Sequence, residues 1–410
     1  MYLDSIYMTI NRKITDQAKK YLLTDEILLF IGARQAGKTT ILKQLQNILI
    51  QQNQICYSIT LEDRDYLKLL NESPKNIFNI LSLDLQKKNY LIIDEIQYLD
   101  DPSNFLKYIY DQYAGKIKLL VSGSSAFYLD EKFKDSLAGR KKIFNVYTLS
   151  FSEFLNFKNE SALADRIKSQ TFSLEEKEKI ILYCQEYMIY GGYPRVVLAP
   201  LEEKIEVLRD IAYSYIKKDI FEAGIRQEEI FYQLFKILSV QTGGLVNVLE
   251  LANTLNVSKT AISHYLHIMQ KSFHIHLLRP FFNNVRKELS KMPKIYFYDL
   301  GLRNFFVNNF QTYTIRADKG EILENMLFRQ LLEKHLIDEI KFWRTTSQQE
   351  IDFIINGQQA WECKASPAQF KDKNYLVFKK KYPSSTLDII SFNAMISDKI
   401  KYPLQEVWNI

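Results

Sequence analysis

Four short apolar runs, at residues 26–32, 55–61, 89–94 and 117–123, alternate in the first third of the chain with stretches of helical period. Continuous apolar runs of this length suit strands buried on both faces, and strands separated by helices pair in parallel. The pattern predicts a three-layer α/β domain with a parallel sheet. Residues 38–49 (KTTILKQLQNIL) form the first amphipathic helix of that domain. From 160 to 228 the chain is rich in Lys, Glu and Leu at helical spacing and predicts a helical bundle, interrupted by a loop at Gly191, Gly192 and Pro194. Residues 230–281 have the texture of a winged helix-turn-helix. A helix at 248–255, a turn at Asn256-Val257, a second helix at 259–271 with Ser258 as its N-cap, and alternating residues at 273–281 suited to a wing strand follow one another. An amphipathic helix from 319 then precedes a β-hairpin over 349–366. The division this gives is an α/β domain at 1–158, a helical subdomain at 159–228, the winged helix at 229–290 and a C-terminal α/β domain at 291–410.

Composition changes this picture little. Over 410 residues, 47% are hydrophobic and 25% charged, the balance of an ordinary globular protein with a sizeable core. The net charge of +6 is compatible with nucleic acid without demanding it. Cys56, Cys184 and Cys363 are too far apart in sequence to suggest a metal-ligand pair or a disulfide framework, which fits a reducing cytosol. With no apolar run of membrane-spanning length and no leader-like N-terminus, the expected location is cytoplasmic, away from membranes.

The candidate chemistry is sharper. Residues 32–39, GARQAGKT, match the phosphate-binding pattern G-x-x-x-x-G-K-[ST] in full, between a predicted strand and a predicted helix. Gly32 and Gly37 are expected to supply backbone conformations closed to other residues, so that the N–H groups of Ala33, Arg34, Gln35, Ala36 and their neighbours point at phosphate oxygens. Lys38 would reach the β- and γ-phosphates of ATP, Thr39 would ligate Mg²⁺, and Thr40 continues the helix whose positive end faces the phosphates. The strand at 89–94 ends in Asp94 and Glu95, and in a parallel sheet the ligand lies beyond the carboxyl ends of the strands. Asp94 is therefore expected to hold Mg²⁺ through its water shell and Glu95 to polarise the attacking water. After the strand at 117–123, Ser124 or Ser125 is placed to bond the γ-phosphate or position the water. Arg140 is a candidate for neutralising transition-state charge, within the subunit or across an interface formed by self-association.

These segments, with LAGRK at 137–141, LSFSEFL at 149–155, YGGYPRV at 190–196, YIKKDI at 215–220 and PKIYFYDLGLRN at 293–304, resemble in order and spacing the prokaryotic AAA-type ATPases that carry a C-terminal domain of unknown function. The resemblance spans nearly the whole chain and implies ATP binding, ATP hydrolysis and a two-part architecture.

Two further sites follow from the C-terminal half. If the winged helix reads DNA, Lys259, Thr260, Ser263 and His264 face the major groove; if it serves packing or protein contact, they do not. The pairs His264/His267 and His274/His276 have no acidic or cysteine partner nearby in sequence and are expected to be solvated or core histidines. The hairpin resembles the PD-(D/E)xK nuclease core: Asp352, a spacer, then Glu362 and Lys364, with Glu324 on the preceding helix. Such chemistry needs carboxylates from Glu324, Asp352 and Glu362 converging on a divalent cation, with Lys364 orienting or deprotonating water. Convergence depends on register. A two-residue turn at Asn356-Gly357 would send Asp352 and Glu362 to opposite faces, whereas a three-residue loop over 356–358 sets them opposite one another. The three-residue loop is the expectation. Two readings stay open: an ATPase that controls a DNA-binding, Mg²⁺-dependent nuclease, and an ATP-driven switch whose inert nuclease-like domain binds DNA or a protein.

Overall fold

A computed structural model describes residues 10–123, 137–169, 173–282, 284–391 and 400–401. The chain forms two compact units, one comprising residues up to Thr148 with Lys271–Phe273, the other Leu149–Gln270 with His274 onward.

The first unit is built on five parallel strands: β1 (Ile27–Gly32), β2 (Ile55–Thr60), β3 (Asn89–Asp94), β4 (Ile117–Gly123) and β5 (Lys141–Val146). Their order across the sheet is β2-β3-β4-β1-β5. The apolar runs form β1 and β4, buried along their whole length, and β3, buried up to its terminal Asp94. At the edge, β5 buries only alternate residues towards its end. The α/β class and the strands expected at 26–32, 55–61, 89–94 and 117–123 are present to within one residue at each end. One consequence of the order was not legible beforehand: β4 lies between β1 and β3. Ile93 pairs with Val121 and Ile31 with Gly123, so Ser122 ends up level with Asp94, between the phosphate loop and the acidic strand end.

The second unit begins with helices at Phe151–Phe157, Ser161–Ser169, Leu174–Tyr190 and Lys204–Glu222. Helices Val248–Leu255 and Lys259–Lys271 follow, joined through Asn256 in the left-handed conformation. The Ser258 hydroxyl accepts the Ala261 N–H at 3.1 Å, as its N-cap position predicts. The antiparallel strands β6 (Ile275–Leu278) and β7 (Lys294–Phe297) come next. β6 is shorter than the alternating segment at 273–281. The C-terminal sheet has the order β12-β11-β10-β9-β8, from β8 (Ile340–Arg344), β9 (Glu350–Ile355), β10 (Gln359–Cys363), β11 (Thr386–Ile390) and β12 (Ile400–Lys401).

Two segments that look like motifs in sequence form a joint in this unit. Gly191 ends the helix Leu174–Tyr190 with φ of 76°. Asp299 caps the helix Leu300–Val307 through the Leu302 N–H and also accepts the Gly192 N–H at 2.8 Å. The Asn304 amide donates to the last carbonyls of the first helix, Met188 and Ile189, both at 2.9 Å. Gly192 in turn accepts the Leu149 N–H at 2.8 Å. The backbones meet so closely that a Cβ on Gly301 would lie 2.1 Å from the Tyr190 carbonyl oxygen.

Candidate functional site

The phosphate loop connects β1 to the helix Lys38–Gln51. Its glycines are required for two different reasons. Gly37 has φ of 98°, a conformation that favours glycine. Gly32 has no such φ; a Cβ there would lie 2.0 Å from the Val146 carbonyl oxygen of β5. The left-handed position expected of the first glycine is taken instead by Gln35, with φ of 57°. Gly32→Ala should therefore lose stability by about 1–3 kcal/mol or more through displacement of β5, read as a lower denaturation midpoint. Ala33, Arg34 and Ala36 are buried, while Gln35 is exposed and Thr40 is half-buried. The Lys38 ammonium donates to the carbonyls of Gly32 and Ala33, each at 2.9 Å, so the loop is closed by its own cation. Arg12, far away in sequence, braces the loop by donating to the Ala36 carbonyl at 2.8 Å and to that of Tyr147 at 3.0 Å.

Facing the loop, Thr39 Oγ1 donates to Asp94 Oδ2 at 2.7 Å. A hydroxyl and a carboxylate, both hard oxygen donors, thus stand together at the carboxyl ends of β1 and β3, a donor pair that fits Mg²⁺. The Ser122 hydroxyl donates to Asp94 Oδ1 and accepts the Glu95 N–H at 3.0 Å. Glu95 itself is held at φ of 60°, an uncommon conformation for a non-glycine residue. Its carboxylate accepts a hydrogen bond from the Gln97 amide. Ser124 and Ser125 lie outside the described residues. Arg140 is not brought to this site. Ile27, the first residue of β1, pairs with Lys141, and Arg140 precedes that residue, so it sits at the opposite end of the sheet from Gly32. At roughly 3.3 Å of rise per residue the separation is on the order of 16 Å. There Arg140 pairs with Asp111, Nε to Oδ1 at 2.7 Å and a second contact at 3.3 Å. This placement removes it from the phosphate site of its own chain.

In the C-terminal sheet, Ile355 pairs with Gln359, Ile354 with Ala360 and Phe353 with Trp361. The loop is therefore the three residues 356–358, with Asn356 and Gly357 both left-handed. Beyond Trp361 the side chains take over from the ladder. The Asp352 N–H donates to Glu362 Oε2 at 3.3 Å, and the Cys363 N–H donates to Asp352 Oδ2 at 2.9 Å. Glu324, Asp352, Glu362 and Lys364 are thus brought into one buried neighbourhood. Two of them, Glu324 and Asp352, meet Lys294, the first residue of β7, which sequence reasoning did not single out. Its buried ammonium lies 2.9 Å from Glu324 Oε1, 2.5 Å from Glu350 Oε1 and 3.3 Å from Asp352 Oδ1. Tyr296 donates its hydroxyl to the same Glu324 oxygen. Glu350 also accepts from Arg344 at 2.5 Å. Glu362 Oε1 accepts from Lys364 and, at 3.0 Å, from Tyr375.

The electrostatics follow from this crowding. Burial, reinforced by the Asp352 charge, raises the Glu324 carboxyl to about 7 and the Glu362 carboxyl to about 8, against the pull of their lysine and tyrosine partners. Burial opposes the charge on Lys294, but Glu324, Tyr296, Asp352 and Glu350 outweigh it and hold the ammonium protonated. Among the described residues no group of three or more His, Cys, Asp or Glu is arranged to hold a metal ion. Of the three carboxylates expected to share a cation, Glu324 and Asp352 meet Lys294, while Glu362 bonds Lys364 and Tyr375.

On the helix Lys259–Lys271, Lys259, Thr260, Ser263 and His264 are exposed. His274 is buried against Asp219, Nε2 to Oδ2 at 2.9 Å, and His276 stacks on Phe328 with burial pushing it down to about 4.

With this geometry in place, comparisons with known proteins divide along the chain. Residues 24–155 match the family model of an AAA domain. The first unit has the α/β fold of a P-loop ATPase. Residues 182–313 and 319–405 match two domains of unknown function, DUF8612 and DUF4143. An uncharacterized protein of Methanocaldococcus jannaschii is 28% identical over 347 residues, covering 82% of this chain and 74% of that one. One of Haemophilus influenzae is 27% identical over 353 residues, covering 81% and 80%. Among solved structures, a Thermotoga maritima RuvB variant aligns over 68% of this chain and 91% of its own at 18% identity, with a TM-score of 0.33. AMPPCP-bound DnaA from Aquifex aeolicus aligns over 64% and 87% at 14% identity, with a TM-score of 0.30. No helix among the described residues is long and apolar enough to cross a membrane.

Three residues of these sites escaped the sequence. Ser122 was hidden by its neighbours Ser124 and Ser125, because only the pairing of β3 with β4 shows which serine is level with Asp94. Arg12 acts across a long sequence separation and carries no local signal. Lys294 stands at the head of the apolar run KIYF, where a lysine ordinarily reads as a solvated strand end.

Proposed function

We propose that this chain is an ATP-hydrolysing, AAA-type molecular switch whose nucleotide state governs a C-terminal module that binds duplex DNA without cutting it. The observation that carries the ATPase reading is the bond between Thr39 and Asp94 at the mouth of a complete phosphate loop. On binding ATP, the backbone N–H groups of residues 33–39 take the phosphate oxygens, and Lys38 exchanges the Gly32 and Ala33 carbonyls for the β- and γ-phosphates. Thr39 and Asp94 would hold Mg²⁺, which neutralises charge on the phosphates when bound. Glu95, anchored through its N–H to Ser122, orients the attacking water, and Ser122 keeps Asp94 aimed. The DNA-binding part of the proposal is supported by the exposed polar face of Lys259, Thr260, Ser263 and His264 on the second helix of the helix-turn-helix segment. The non-cutting part is supported by Lys294, whose ammonium pairs with two of the three carboxylates expected to hold a cation, Glu324 and Asp352.

Mg²⁺-dependent ATP turnover, plasmid cleavage and duplex DNA affinity with and without ATP test the proposal together. Turnover without cleavage, and a DNA affinity that changes with nucleotide and weakens in Lys259→Glu, are expected. Cleavage lost in Asp352→Ala would establish the nuclease instead. DNA affinity indifferent to both nucleotide and Lys259→Glu would move the module's partner to protein.

A further inference from the structure

The C-terminal carboxylates resemble a metal-dependent nuclease site in sequence, yet the donor set does not fit a metal. An open cation site leaves carboxylate oxygens aimed at a common, solvent-reachable point. Here both oxygens of Asp352, Glu362 and Glu350 are committed to protein donors, and Glu324 gives Oε1 to Lys294 and Tyr296 together. Asp352 divides its oxygens between Lys294 and the Cys363 N–H. Glu362 divides its own between the Asp352 N–H on one side and Lys364 and Tyr375 on the other. Glu350 gives one to Lys294 and the other to Arg344. At the centre stands an ammonium with almost no exposure, touching one carboxylate from the helix Lys319–Leu331 and two from β9.

We infer that Lys294 is a resident cation that replaces the divalent metal of this site. It converts a position for catalysis into a clamp. Three elements meet on one charge: β7 supplies the ammonium, the helix Lys319–Leu331 supplies Glu324, and β9 supplies Glu350 and Asp352. The β6–β7 hairpin is thereby fastened to the C-terminal sheet. A buried charge of this kind is worth little as a net ion pair, but removing one partner leaves the others uncompensated. The inference deepens the non-cutting reading and rests on it for its functional meaning.

The test is Mn²⁺ binding to the full chain without nucleotide, in an Asp94→Asn background that removes the phosphate-loop cation position. The lysine is compared with Lys294→Met, which keeps an unbranched side chain one atom shorter and deletes the charge. With Lys294 present, no Mn²⁺ should bind to this unit, and its melting temperature should be the same in Mn²⁺ and in EDTA. Lys294→Met should melt lower by on the order of 10 °C and bind Mn²⁺ at least about tenfold more tightly. Mn²⁺ bound by the lysine protein and lost in Asp352→Asn overturns the inference. A folded Lys294→Met that still binds no Mn²⁺ also overturns it, while leaving the non-cutting reading intact. If Lys294→Met does not fold, the melts of the lysine protein decide alone, a Mn²⁺-dependent rise overturning the inference. DNA cleavage abolished by Asp352→Ala sinks both.

Discussion

Glu95→Gln is expected to bind ATP as the parent does and to hydrolyse it more slowly by a factor of about 10²–10⁴, the usual contribution of a positioned general base. The exchange is nearly isosteric: the Glu95 N–H bonds Ser122 whatever the side chain carries, and a glutamine oxygen can still accept the Gln97 amide. The uncommon backbone conformation at φ of 60° is therefore kept. What disappears is a carboxylate able to take a proton from water. Lys38→Ala should fail in the opposite way, losing nucleotide affinity first, because its ammonium ties the Gly32 and Ala33 carbonyls and is placed to meet the phosphates. Ser122→Ala should fall between the two, retaining affinity and losing part of the rate, since Asp94 loses one of its two hydroxyl donors. Equilibrium binding of a fluorescent ATP analogue and steady-state phosphate release separate these outcomes. Unchanged phosphate release in Glu95→Gln would remove Glu95 from the mechanism.

Gly191→Ala and Gly301→Ala each destabilise the second unit by at least about 3 kcal/mol, the upper range for overpacking, because no neighbour can yield. A Cβ on Gly191 would meet Asp299 Oδ1 at 2.2 Å, in a conformation with φ of 76° that already disfavours alanine. That oxygen is fixed, since it caps the next helix at 3.0 Å through the Leu302 N–H. On Gly301 the clash is with the Tyr190 carbonyl itself, and backbone cannot rotate aside. Gly320→Ala is the control. Its Cβ meets nothing within 4 Å, and it lies in the first turn of the helix Lys319–Leu331. That change should stabilise by up to about 1 kcal/mol, through helix propensity alone. Denaturant titrations of the three variants measure the contrast. A Gly301→Ala midpoint equal to the parent's would show that the joint is looser than the structure describes.

What could be read from the sequence divides by range. The phosphate loop, the strand ending in Asp94 and the three-residue hairpin loop were legible because each is specified within a dozen residues. Asn356-Gly357 fits a two-residue turn as well; the longer loop was expected because only that register sets Asp352 opposite Glu362, and the pairing of Ile355 with Gln359 has it. The hidden features depend on what the fold brings from elsewhere. That β4 would separate β1 from β3, and so present Ser122 to Asp94, is a property of sheet order. The position of Arg140 was recoverable: it immediately precedes a strand, and in a parallel sheet ligands gather where strands end. The glycines at 191, 192 and 301 marked an invitation to close backbone approach, but which backbone approached was invisible. Lys294 shows the same limit for charge. A lysine beside an apolar run is ordinarily solvated, and only tertiary structure reveals that three carboxylates have replaced the water.

The joint at Gly191 and Gly301 also bears on how the chain comes off the ribosome. Leu149, Gly192 and Asp299 are linked by hydrogen bonds that span 150 residues of sequence. The helices up to Tyr190 can form early, but their last carbonyls and the glycine turn stay open until Asn304 has emerged. Long-range contacts of this kind form slowly and leave apolar surface waiting. The five-stranded sheet of the first unit, complete by Val146, has no such wait. Synthesis thus delivers a finished nucleotide-binding sheet well before the part it is proposed to govern.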